Sequence, residues 1–97
     1  MVTFMSKAAA SFIMTDGVAR SVIEASGSDW SDEGIWRVER LSEVRAALEQ
    51  RAEQSRAKEG PEAMASGSVA FYQRLAPVLE MLRKAEAKQK PVVWTRT

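Results

Sequence analysis

Three carboxylates crowd one short stretch of this chain: Asp29, Asp32 and Glu33. Oxygen donors of this kind suit a hard cation such as Ca²⁺ or Mg²⁺. Their spacing lacks the alternating acids and later glutamate of an EF-hand loop, and a calcium site takes about six oxygens or more. The stretch reads as a solvated loop, with no metal and no cofactor expected. Ser6 beside Lys7 offers the residue types of a Ser–Lys nucleophile, but neighbours on a strand point to opposite faces. No nucleophile elbow, phosphate-binding glycine loop or paired zinc-ligand spacing is present. The chain has no histidine and no cysteine. It therefore lacks the usual general base, the commonest metal ligand, the thiol nucleophile and any disulfide. The residue set does not point to an enzyme.

Residue types that bind, as opposed to react, are better represented. Trp30, Trp36 and Trp94 are three indoles in 97 residues, and tryptophan is enriched at binding hot spots. Indoles are also large core residues with one donor to satisfy, and Trp94, beside Val93 in an apolar stretch, reads as core. Trp30 stands among Ser, Asp and Glu and is the indole most open to exposure, although covering by a helix is the favoured reading. Beside Arg37 and Arg40 it would meet an acidic or planar group of a partner. Trp30, Trp36, Arg37, Arg40 and Trp94 are thus the candidate partner contacts. Arg37, Arg40, Arg45, Arg51 and Arg56 resemble a basic stripe, but Glu39, Glu43, Glu49 and Glu53 interleave them. That pattern is expected of a solvated helix face laced with ion pairs, not of a groove that tracks phosphates.

The elements that must position these residues follow from periodicity. Val2–Ser6 alternates as a half-buried strand, and Ser11–Thr15 reads as a second, with Phe12 and Met14 on one face and Ile13 on the other. Lys7–Ala10 is short enough for a hairpin, although three alanines are poor turn formers, and a one-turn helix or a bulge would serve equally. Thr15 or Asp16 can cap a short helix whose stripe is Val18, Ala19, Val22 and Ile23, ending at Gly27. Ile35–Val38 reads as a short extended piece. Ser42 is a good N-cap for a long helix to about Lys58, terminated by Gly60-Pro61. Residues 59–68 read as a polar linker within one domain spanning 1–97. Ser66 or Ser68 would open the last helix, in which Val69, Tyr72, Leu75, Ala76, Leu79 and Leu82 repeat at helical spacing. Pro77 should kink it or split it in two. After Pro91, Val92–Thr95 reads as a final strand. The fold class is α+β: a small sheet of about three strands, an N-terminal hairpin plus the C-terminal strand, against two to four helices. The last strand is expected to pair with the first, leaving one sheet face on the helices and one partly exposed.

The segments "VTFMSKAAASFIMTDGVAR", "LSEVRAALEQ" and "PVVW" resemble a family catalogued as domain of unknown function 1840. The likeness spans nearly the whole chain. It is most specific at the opening strand and weakest over 28–37. It implies a small cytoplasmic bacterial protein, mostly proteobacterial, and implies no activity and no site residue.

Charge and hydropathy then weigh the functions against one another. Net charge is +1, but residues 24–62 hold ten acids against six bases, and 83–97 hold five bases against one acid. Such asymmetry can steer a partner or align two subunits. No apolar run approaches the roughly 18 residues that span a bilayer, and the N-terminal stretch makes a poor signal peptide. A cytoplasmic location without membrane contact is expected. Val2, Phe4, Ile13, Met14, Val92 and Trp94 are too many to lie under three short helices, so an exposed apolar sheet face is expected. The leading expectation is a non-catalytic interaction or oligomerisation module, with a protein partner or a second copy. A nucleic-acid-binding accessory protein using the basic C-terminal region is one alternative, and a small ligand-binding protein or enzyme is another.

Overall fold

A computed structural model describes residues 1–65 and 71–97. The elements are β1 (Val2–Ser6), β2 (Ala9–Met14), α1 (Asp16–Ala25), β3 (Glu33–Trp36), a 3₁₀ turn (Val38–Arg40), α2 (Leu41–Ala65), α3 (Phe71–Lys88) and β4 (Val92–Arg96). The class is α+β, as expected, and the sheet has four antiparallel strands in the order β2-β1-β4-β3. The first and last strands lie side by side at its centre, Phe4 opposite Trp94. The additional strand is Glu33–Trp36, which adds to the free edge of β4 with Gly34 opposite Trp94. Of the expected extended piece only Val38 departs, because it begins the 3₁₀ turn after an extended Arg37.

The hairpin turn is tight, with Ser6 opposite Ala9 and the register shifted between Phe4 and Ser6. Ser6 supplies the turn chemistry that the alanines lack: its hydroxyl accepts the Ala8 N–H at 3.2 Å. The alanines serve packing instead, and Ala8 is buried. Helix α1 ends as its sequence predicts. Gly27 takes a positive φ of 91°, and the Ser28 N–H reaches back to the Ile23 carbonyl at 3.3 Å, a Schellman closure.

One proline expectation is corrected, and a second is narrowed, since α3 is not split in two. Helix α2 runs past Gly60-Pro61 to Ala65, so residues 59–65 are helix and not linker. Residues 66–68, with the expected start at Ser66 or Ser68, lie outside the described residues. A proline inside a helix removes one bond, to the carbonyl four residues back. For Pro61 that residue is Ala57, which is exposed to water. Pro77 likewise sits within a single helix, α3, with its ring outward. At the other end of α2, Ser42 lies in the first turn and not at the cap, since the 3₁₀ turn leads directly into Leu41.

The core lies between one sheet face and the helices. Val2, Phe4, Met14, Trp36, Val92 and Trp94 meet Val22, Ile23, Leu41, Val44, Leu48, Leu75, Val78 and Leu82. Five of the six strand residues expected to be too many for the helices are therefore covered, and only Ile13 faces away. Helix α2 is longer than the sequence suggests, with 25 residues, and α3 has 18. At about 1.5 Å per residue each outruns a five-residue strand. Their seam is sealed by polar contacts. Arg45 bonds Glu86 across it and Glu49 at 2.8 Å along it. Arg51 lies over the Phe71 ring and Arg56 over the Tyr72 ring, at 5.0 and 5.3 Å. Buried Ser55 of α2 accepts the Tyr72 N–H at the described start of α3, 3.1 Å away.

Candidate interaction surface

Strand alternation builds two unlike faces from the same sheet. On the covered face Phe4 stacks on Phe12 with ring centroids 5.3 Å apart, and Trp36 lies 5.2 Å from Trp94. On the open face the same strands present Thr3 and Met5, Ser11 and Ile13, Glu33 and Ile35, and Val93 and Thr95. Register places Ile13, Thr3, Thr95 and Glu33 in one row, and Met5, Val93 and Ile35 in the next. Ile13 is 62% exposed and Ile35 45%. Among the described residues no helix lies over them.

The indoles are not part of this surface. Trp36 is 1% exposed and Trp94 3%, so neither ring is presented to a partner. Trp94 donates its indole N–H to the Ser31 carbonyl at 3.2 Å and lies flat on Gly34. A Cβ at that glycine would sit 2.3 Å from the ring. Trp30 is half-buried and packs against the core cluster, the loop carrying it folding back on the hydrophobic interior. Arg37 and Arg40 are exposed. Arg40 lies 3.7 Å from Glu43. Arg37 makes no ion pair among the described residues and borders a shallow hollow with Ile35, Glu39 and Pro91. The five residues do not form one site.

Two open-face features escaped the sequence reading. One is a concavity of 670 Å³ at the end of the sheet where the β1–β2 turn meets the α3–β4 junction. Met5, Ala9, Pro91 and Val93 make it apolar, and Lys7 and Lys90 both stand on it. The other is Glu33, at the opposite end on β3. Among the described residues Lys7, Lys90 and Glu33 make no ion pair. The charges around Arg96 are neutralised internally. Arg96 binds Asp16 at 3.0 Å and Asp32 at 3.5 Å, and Asp16 also takes the N-terminal ammonium at 2.6 Å. That ammonium above all, and then Arg96, outweigh partial desolvation and hold the Asp16 carboxyl below the usual aspartate range. With Asp32 committed to Arg96, the Asp29, Asp32 and Glu33 stretch brings no three potential metal ligands together among the described residues.

Among the described residues, a small α+β fold thus leaves one sheet face open, with Met5, Ile13, Ile35 and Val93 among polar side chains and charges at its ends. The chain belongs to the family described as domain of unknown function DUF1840, whose model it matches over residues 1–94. No curated protein and no solved structure matches it. Among the described residues no helix is long and apolar enough to cross a membrane.

Proposed function

We propose that this protein is a non-catalytic interaction module of the cytoplasm that binds a protein through the open face of its sheet. The observation that supports this is the pair of exposed isoleucines, Ile13 and Ile35, flanking Met5 and Val93 on a face no helix covers. Single exposed apolar residues are ordinary, whereas contiguous ones rimmed by polar groups mark interfaces. A nucleic-acid platform would need stacking rings on this face, and the sheet's aromatic rings point the other way. The test is a photo-crosslinking residue placed at position 13 in living cells, with position 20 on the outer side of α1 as control. A discrete adduct is expected at 13 and none at 20. Equal adducts at both positions, or none at 13, would remove the proposal.

A further inference from the structure

The open face carries unpaired charge of opposite sign at its two ends, Lys7 and Lys90 beside the concavity and Glu33 on the far edge strand, with the apolar row of Met5, Val93 and Ile35 between. A face of this kind complements itself. A two-fold axis lying in the plane of the interface lays one copy's Glu33 over its partner's Lys7–Lys90 end, and symmetry repeats the contact at the other end. Resting on the reading that this face is an interface, we infer that its occupant is a second copy of the chain, registered by Glu33 against Lys7 and Lys90. An unrelated partner would not require both signs on one face, and like charges meet if the copies stack in the opposite sense.

Size sets the strength. Four strands about 4.8 Å apart and about five residues long give a footprint of roughly 300 Å². A standard stable interface takes about 800 Å² from each partner. The pair is therefore a weak dimer in exchange with monomer, and screening of its end charges by salt should loosen it further.

Sedimentation equilibrium on the full chain tests this, with Glu33→Lys and the double variant Lys7→Glu/Lys90→Glu as probes. All three positions are exposed or on an edge strand, and circular dichroism melts check that the variants fold. The wild type should show a monomer–dimer equilibrium that weakens with salt. Each variant alone should dimerise at least about tenfold more weakly, and an equimolar mixture of the two should recover dimer as a heterodimer. A wild type that stays monomeric to about 1 mM, or a dimer indifferent to both variants, overturns the inference. The position-13 adduct separates the two levels. An adduct with a different protein alongside a monomeric wild type keeps the interface and sinks the second copy; no adduct at 13 sinks both.

Discussion

Gly34 and Trp94 show how one residue's size fixes another's place. The indole lies where a side chain on β3 would be, and only hydrogen at Gly34 leaves it room. Gly34→Ala forces a rigid bicyclic ring off its packed position, an overpacking cost of about 1–3 kcal/mol or more. The expected outcome is a drop in Tm of several degrees in a thermal melt, with near-ultraviolet circular dichroism reporting the displaced ring. A substitution tolerated within about 0.5 kcal/mol would mean that the ring can move. In the sequence Gly34 is one glycine in a polar loop. Its requirement comes from a residue sixty positions away, and no local pattern carries that. Trp94 could be read as core from its apolar neighbours, whereas the burial of Trp36 follows from which sheet face the helices cover.

At the level of elements, what local chemistry controls was legible and what packing controls was not. The opposition of Phe12 and Met14 to Ile13 is a two-residue period and survives intact. So does the Gly27 stop. The continuity of α2 and α3 through their prolines was not legible, because it depends on where the orphaned carbonyls face. Of the interaction surface, Ile13 could be placed on the outward face from alternation alone, whereas Lys7 and Lys90 come together only once β4 pairs with β1, and Ile35 and Glu33 join only once β3 docks on β4. Helix α3 has a less obvious ending: Gln89 takes the left-handed conformation, φ 56°, with the Lys90 N–H returning to the Ala85 carbonyl at 2.9 Å. This is the glycine position of a Schellman closure occupied by a side chain. Gln89→Gly should stabilise the protein by about 0.5–1 kcal/mol, despite the greater freedom of the unfolded glycine. Urea unfolding would register this as a higher midpoint at unchanged slope, and a lower midpoint would mean that the bond from the Gln89 side chain to the Glu86 carbonyl outweighs the backbone strain.

Across the whole molecule, β1, α1, β3 and β4 are tied together by one charge cluster, Asp16 and Asp32 around Arg96 with the N-terminal ammonium. Because Asp16 keeps its proton off to lower pH when folded than when unfolded, its contribution is complete above the unfolded value. It is lost as pH falls through the folded one. Asp16→Asn should therefore lower Tm at neutral pH, and the gap to wild type should close between about pH 5 and pH 2. A gap that stays constant over that range would show that Asp16 acts through packing and not through charge.

The strand order has a bearing on the protein's synthesis. The sheet's central pair joins the first strand made to the last, and β3 has no neighbour but β4. While the chain is still emerging from the ribosome, β1 has only its hairpin partner and the aromatic covered face has no floor. A nascent chain that lacks β4 cannot complete this sheet, because β1 and β3 meet only through it. Emergence of β4 then gates closure of the core, and until that point the exposed rings of Phe4, Phe12 and Trp36 favour misassembly.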